Sequence, residues 1–146
     1  VTFTIGTKYS LRAKHCMAHD VVVVVIQYRL GALGYLTLDT EEIPGNAGMA
    51  DQVEALRWIQ KFIKYFGGNK DNVTVVGESA GAASVGFLLL CPQAREERLF
   101  HNAIAESGSM LTEWALDRNT TKHGYRIAEL AGCPLEPYAD LLHCLR

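Results

Sequence analysis

A single serine, Ser79, lies between two glycines in the stretch NVTVVGESAGAAS, residues 72 to 84. Residues 77 to 81 match the pattern G-x-S-x-G, in which the serine occupies a sharp turn between a strand and a helix. A β-branched run precedes Ser79 and small residues follow it, which is the context that the pattern requires. The sequence therefore predicts a nucleophilic serine whose hydroxyl is lifted clear of a sheet. A glycine-flanked turn and an anion-binding loop are the alternative interpretations.

The residues around Ser79 suit acyl transfer chemistry. We expect a side chain at position 77 or 81 to collide with the neighbouring strand or helix, so glycine fits both positions. A helix that starts after the serine points its N-terminal N–H groups and its positive dipole end at the nucleophile. The N–H of Ala80 is then placed to donate to the oxyanion of a tetrahedral intermediate.

Strand patterns alternate with helix patterns along the chain, which predicts an α/β fold with a mostly parallel sheet. The expected strands cover residues 3–5, 21–28, 73–76 and 102–106. The expected helices cover residues 11–18, 51–66, 80–90, 125–130 and 138–145. One apolar face of the second helix is predicted from residues at three- and four-residue steps, namely Val53, Leu56, Ile59 (or Gln60), Ile63 and Phe66. Residues 30–48 contain many turn formers, so we expect no regular structure there.

The composition is that of a soluble globular domain, with 49% apolar and 21% charged residues among 146. A net charge of −2 gives no reason to expect nucleic acid or an anionic membrane as a partner. The longest apolar run, VVVVVI at 21–26, is too short to span a bilayer. The four cysteines include no C-x-x-C pair and lack metal-ligand spacing, so we expect no metal site. Cys133 and Cys144 flank a short acidic loop, where they either pair or remain free.

Several segments together resemble the type-B carboxylesterase and cholinesterase family of α/β-hydrolases. They are YRLGALGYL at 28–36, PGNAGMADQVEALRWI at 44–59, FGGNKDNVTVVGESAGAASV at 66–85 and AESGS at 105–109. The resemblance implies a partial α/β-hydrolase fold, a mostly parallel sheet with flanking helices that is incomplete. Residues 1–146 would then be the N-terminal and central part of one domain, truncated at both ends. The implied activity is hydrolysis of a small-molecule carboxylic ester through an acyl-enzyme at Ser79, with no cofactor; the oligomeric state stays open.

The same resemblance implies roles for individual residues. Ser79 matches the acyl-accepting serine and Ala80 the donor of one oxyanion N–H. Glu78 matches an acidic neighbour near the catalytic histidine, Trp114 an acyl-pocket tryptophan, and Ser107 a serine behind the catalytic triad. A solvated charge at Glu78, a core tryptophan and a turn-forming serine are the plainer interpretations.

The cysteines and two sequons bear on localisation. The last letters, HCLR, match a family segment whose disulfide closes a small loop, which implies a Cys133–Cys144 bridge. A disulfide implies an oxidising, secretory environment, so we expect a secreted or extracellular protein. The sequons begin at Asn72 and Asn119. Asn119 is the better glycosylation acceptor, because Asn72 adjoins a strand that we expect to be buried.

The resemblance also shows what these residues lack. A nucleophilic serine needs a histidine base that a carboxylate orients, and in this fold both follow the serine on later strands. Residues 110–146 contain no Val/Ile-rich run to form such a strand. We therefore expect the histidines that follow Ser79 to be surface residues: His101, His123 and His143.

An alternative function is a cholinesterase-like adhesion or receptor ectodomain that keeps the fold without the chemistry. The family carries oxyanion-binding glycines just before a segment that resembles residues 3–6. That register places Val1 and Thr2 at the last two glycine positions, which favours the inactive alternative. The intact Gly-Glu-Ser-Ala-Gly favours the enzyme, because a binding module has no need of a strained serine.

Overall fold

The computed structural model describes residues 16–145. The strand expected at 3–5, the proposed register of Val1 and Thr2, and most of the helix expected at 11–18 lie outside the described residues. The chain divides into two compact units. The first contains the described residues up to Tyr28 together with Met49–Leu116, and the second contains Arg29–Gly48 and the residues from Asp117 onward.

Helices and strands alternate through the middle of the chain. Short 3-10 helices cover Cys16–His19, Ile63–Phe66 and Glu113–Ala115. The α-helices and strands in chain order are α1 (Gly31–Tyr35), α2 (Ala47–Phe62), β1 (Thr74–Glu78), α3 (Ala80–Leu90), α4 (Pro92–Glu96), β2 (Asn102–Glu106), α5 (Thr120–Leu130) and α6 (Tyr138–Leu145).

The two strands of the described residues form a parallel pair, and α3 packs against both of them. Thr74 is aligned with Asn102 at the start of the ladder and Glu78 with Glu106 at its end. Parallel strands need a crossover between them, and α3 and α4 supply it here. The predicted α/β class, with parallel strands and flanking helices, is confirmed for the described residues. Because both strands end at the same edge, residues 79 and 107 leave the sheet side by side.

The core of the first unit forms where α2 meets the end of α3 and the residues that follow. Its buried members are Val53, Leu56, Ile59, Ile63, Leu88, Ala94 and Leu99. Four of the five residues predicted for the apolar face of α2 are therefore buried. Phe66 is the exception and is 61% exposed. The α-helix ends at Phe62, and the tighter 3-10 turn that follows rotates Phe66 off the buried face.

The prediction of a strand at 21–28 is wrong for this structure. These residues have no ladder hydrogen bonds, and Val21 to Val24 are 40–52% exposed. A β-branched run becomes a strand only when a neighbouring strand pairs with it, and no described residue supplies that partner. Of the three strands expected within residues 16–145, two are present.

The prediction of no regular structure over 30–48 is also wrong, because α1 forms there and α2 begins at Ala47. The first turn of α2 therefore starts four residues before the predicted Asp51. A turn with positive φ at Gly45 and Asn46 precedes it.

The second unit has a small core of its own, formed by Leu38, Ala128, Cys133 and Leu141. A disulfide joins Cys133 to Cys144, as the resemblance implied. The helix predicted for 125–130 starts earlier, at Thr120. The Asp117 carboxylate accepts the Asn119 N–H at 2.8 Å just before that helix, which sets the turn from which it begins. No helix in the described part of the chain is long and apolar enough to cross a membrane.

Candidate active site

Ser79 connects β1 to α3 with a backbone conformation that is rare for a residue with a side chain. Its φ is 55° and its ψ is −115°. Such a conformation costs on the order of 1–3 kcal/mol and persists only where the surroundings enforce it. Ser79 stands at the N-cap position of α3, yet its side chain makes no capping hydrogen bond. The exposed hydroxyl is therefore free of the structural role that a serine at a helix start ordinarily has.

The strand–turn–helix connection is compact because Gly77 has no side chain. A Cβ at position 77 would lie 2.1 Å from the carbonyl oxygen of Gly81. The expected collision is therefore confirmed for Gly77. It is wrong for Gly81, where no described atom lies within 4 Å of an added Cβ.

The loop after β2 braces the same turn from behind. The Ser79 N–H donates to the Glu106 carbonyl at 2.9 Å, which extends the ladder by one bond. A Cβ on Gly108 would lie 2.2 Å from the Ser79 carbonyl oxygen, so this loop can approach the serine only with glycine there. Ser107 also has a positive φ, of 54°. Two turns with unusual backbones thus lie together at the carboxyl edge of the sheet.

The Ala80 N–H is oriented by the first turn of α3. The Ser79 carbonyl accepts the Ala83 N–H at 3.2 Å, so it points into the helix. Since the N–H and C=O of a trans peptide point in opposite directions, the Ala80 N–H points away from the helix. That direction suits an oxyanion donor beside the Ser79 hydroxyl.

A cleft of about 890 Å³ runs along β1 between that strand and residues 21–28, all within the first unit. Glu78, Ser79 and Ala80 all line it at its end near the turn. Its other walls are mixed. Apolar side chains come from Val21, Val22, Val24, Val25, Ile26, Leu56, Ile59, Val75, Val76, Val85 and Leu88, and polar ones from Asp20, Gln52, Asn69, Asn72, Thr74 and Ser84. Burial of Tyr28 on this wall raises the pKa of its phenol.

The other predicted site residues lie outside this lining. Ser107 is exposed and lies next to Ser79 across the sheet edge. Trp114 is 42% exposed, within the short 3-10 helix Glu113–Ala115. The structure therefore brings Glu78, Ser79, Ala80 and Ser107 together and leaves Trp114 outside that group.

The three histidines after Ser79 are exposed, as expected. His101 Nδ1 accepts the Val73 N–H at 3.2 Å. His123 Nδ1 lies 2.6 Å from Asp117 Oδ2 in the second unit. The hydrogen bond from His123, together with that from the Asn119 N–H, holds the pKa of the Asp117 carboxyl below its usual range. These contacts give each of the two rings a local structural partner.

Sequence reasoning missed three residues next to the turn: Gln52, Ser84 and Gly108. Gln52 and Ser84 are 3% and 9% exposed and line the cleft. The sequence offered one signal for Gln52: it is a polar residue directly before the apolar face of α2. Nothing local distinguishes Gly108, because its close approach to Ser79 depends on how two distant loops meet.

Comparison with known proteins agrees with this geometry. The sequence profile of the carboxylesterase family matches residues 2–146. Carboxylesterase 1E of Rattus norvegicus is 48% identical over 127 residues, which are 87% of this chain and 22% of that protein. Pyrethroid hydrolase Ces2a of Mus musculus is 44% identical over 135 residues, 92% of this chain and 24% of that protein. Liver carboxylesterase 1 of Oryctolagus cuniculus is 48% identical over 130 residues, 88% of this chain and 23% of that protein.

The chain thus spans 22–24% of the length of these relatives. The match covers both units and includes the turn that carries Ser79. On these grounds the chain belongs to the carboxylesterase family, in a serine carboxylesterase lineage.

Proposed function

We propose that the protein to which these residues belong hydrolyses small-molecule carboxylic esters through an acyl-enzyme at Ser79. The Ser79 Oγ attacks the ester carbonyl carbon and loses its proton to a histidine base. The tetrahedral intermediate collapses as the alcohol leaves with that proton, and water then releases the carboxylic acid by the same route in reverse. The Ala80 N–H stabilises the oxyanion in both steps.

The observation that carries this proposal is the backbone of Ser79. A serine with a φ of 55° and an exposed hydroxyl that caps nothing has no structural explanation of its own. The same conformation is what a nucleophile on a strand-to-helix turn requires. The names of the relatives, carboxylesterases and a pyrethroid hydrolase, support ester substrates as the class.

The neighbouring residues take supporting roles in this proposal. Glu78 places a carboxylate at the mouth of the cleft, near the position of the histidine base. Ser107 stands behind the nucleophile, where its hydroxyl is available to the triad. Trp114 contributes to the wall that receives the acyl group of the substrate. The histidine and its orienting carboxylate come from residues outside 16–145.

Active-site labelling tests the proposal. The full-length protein should react covalently with a fluorophosphonate probe, and Ser79→Ala should abolish the reaction. Ser109→Ala is the matched control, because Ser109 is an exposed serine in the neighbouring loop. Absence of labelling in the folded wild-type protein would contradict the proposal and favour an inactive adhesion or receptor ectodomain.

Residues 1–146 form part of one larger α/β-hydrolase domain in this proposal. The small share of the relatives' length that the chain covers supports this proposal, and so does the open cleft between β1 and residues 21–28. A strand from the rest of the domain fits a cleft of this kind, which lies between β1 and a β-branched run that is not itself part of a strand. The valines at 21–24 would then be covered.

The protein is secreted or extracellular in this proposal, with Asn119 glycosylated. The Cys133–Cys144 disulfide supports an oxidising compartment. Asn119 and Asn72 are both exposed in the described chain, but Asn72 lines the cleft that the larger domain would fill. Expression in mammalian cells should give a product that an N-glycosidase shortens on a gel. Asn119→Gln should remove that shift and Asn72→Gln should keep it; the reverse pattern would refute the assignment.

A further inference from the structure

Two polar side chains are buried beside the proposed nucleophile, and the proposed reaction uses neither. They are Gln52 on α2 and Ser84 on α3, both in the first unit. Burying an amide or a hydroxyl costs free energy unless its polar atoms are paired. A leucine at position 52 would fill a similar volume without that requirement. The amide of Gln52 therefore adds a directional hydrogen bond, which filling the space with an apolar side chain would not provide.

A chain of hydrogen bonds leads from Gln52 to the first turn of α3. Gln52 Nε2 donates to Ser84 Oγ across 3.4 Å, and Ser84 Oγ donates to the Ala80 carbonyl across 3.1 Å. An amide nitrogen has donors and no acceptor, so it occupies a lone pair of the hydroxyl and leaves the hydroxyl proton for Ala80. Both hydrogen bonds therefore run in the same direction, with Gln52 donating to Ser84 and Ser84 donating to Ala80.

We propose that Gln52 is a positioning residue for the oxyanion-binding N–H of Ala80, acting through Ser84. This inference rests on the proposed function. The two peptide groups that flank the Ala80 Cα are both held in place. The Ser79 carbonyl is held by the Ala83 N–H at 3.2 Å, and the Ala80 carbonyl is held by the Ser84 hydroxyl.

Holding both peptide groups removes the freedom that a helix start otherwise has. The first residues of a helix fray readily, because their N–H groups have no partner within the helix. An oxyanion donor accelerates reaction only if its direction is set before charge develops. Gln52 extends this control from the first turn of α3 to a second helix, α2, whose position is fixed by the core of the unit.

The test compares two glutamines of α2 in the full-length protein. Gln52→Leu removes the amide that reaches Ser84. Gln60→Leu is the matched control, since Gln60 Nε2 donates instead to the Lys70 and Leu99 carbonyls at 2.8 and 3.0 Å. Gln52→Leu should lower kcat and the fluorophosphonate labelling rate about tenfold with little change in KM, because loss of an entire oxyanion donor costs about 100- to 1000-fold. Gln60→Leu should leave both rates unchanged, even if its melting temperature falls.

A second pair of variants keeps the test decisive if Gln52→Leu folds poorly. Ser84→Ala should reproduce the loss, and Ser84→Thr, which keeps a hydroxyl, should restore most of it. The double variant Gln52→Leu/Ser84→Ala should lose no more than the worse single variant, because both act through one link. Equal labelling rates for Gln52→Leu, Ser84→Ala and Gln60→Leu would overturn this inference and leave the proposed function standing. A folded wild-type protein that is not labelled would overturn both.

Discussion

At the scale of single residues, the proposed chemistry depends on a few backbone positions that tolerate no side chain. Ser79 takes its unusual φ because the strand and the helix on either side approach closely. Gly77 permits that approach on one side and Gly108 on the other. The proposed nucleophile is thus held by neighbours that contribute no functional group, and replacing them should disable the proposed site indirectly.

Alanine substitutions at the two glycines of the motif should have opposite effects on stability. Gly77→Ala places a Cβ 2.1 Å from the Gly81 carbonyl oxygen, so we expect a loss of about 3 kcal/mol, as for severe overpacking. Gly81→Ala meets no described atom and lies in a helix, where alanine is favoured by about 1 kcal/mol. Urea unfolding of the full-length protein measures both. Similar losses for the two variants would show that the remainder of the domain also contacts Gly81.

At the scale of elements, α2 determines much of what surrounds the site. Its apolar face builds the core of the first unit, and Gln52 reaches the turn from the residue before that face begins. Further along α2, Arg57 forms an ion pair with Glu97, the residue after α4. Arg57 Nε donates to Glu97 Oε2 at 2.8 Å, and the guanidinium also bonds Glu97 Oε1 and Glu54.

The Arg57–Glu97 pair predicts a dependence of stability on pH. The hydrogen bond from Arg57 lowers the pKa of Glu97 and, reciprocally, raises that of Arg57. A carboxylate with a lowered pKa stabilises the folded state above the unfolded pKa, and that contribution is lost as pH falls through the folded pKa. The difference in unfolding midpoint between wild type and Glu97→Gln should be small, since the pair is at the surface, and should shrink as the pH falls below the ordinary glutamate value of 4.5.

The neighbouring exposed residue supplies the control for that measurement. Glu96→Gln removes a carboxylate of the same helix end without touching Arg57, so its difference from wild type should change less over the same pH range. A Glu97→Gln difference that does not shrink as the pH falls below 4.5 would contradict the pairing.

At the scale of the whole molecule, the match to the carboxylesterase family covers both compact units. Each has its own small core, and only the first carries the proposed nucleophile. The chain covers less than a quarter of each relative named above. Large apolar side chains are exposed on the sheet, including Val76 at 63% and Ile104 at 47%. Exposed strand edges and apolar faces of this kind favour association.

Residues 1–146 expressed alone should therefore associate or precipitate. We expect aggregates in size-exclusion chromatography with light scattering, and no cooperative thermal transition. They should also show no esterase activity, because in our proposal the histidine base comes from the rest of the protein. The full-length protein under the same conditions is the control. A monodisperse 146-residue monomer with a cooperative transition would refute the idea that these residues belong to a larger domain.

Much of the fold could be predicted because it follows from local patterns. The bounds of α3, β2 and α6 match the sequence-based prediction, since small-residue runs, a β-branched pattern and a following proline act over only a few residues. The turn at Ser79 was predictable for the same reason. Prediction failed where a residue's state depends on distant partners. The valines at 21–24 have no paired strand among the described residues, and Phe66 is turned away from the buried helix face by the 3-10 turn.

The sequence by itself determined that a serine stands on a strand-to-helix turn and that the chain resembles the carboxylesterases. Both follow from residue types at short spacing, which specify backbone conformation locally. Only the tertiary structure decided that Gly108 packs behind Ser79 and that Gln52 reaches Ser84 across 32 positions of the chain. It also decided that a side chain has room at Gly81 and none at Gly77. These contacts join segments distant in sequence, and their geometry depends on how helices and strands pack rather than on any local pattern.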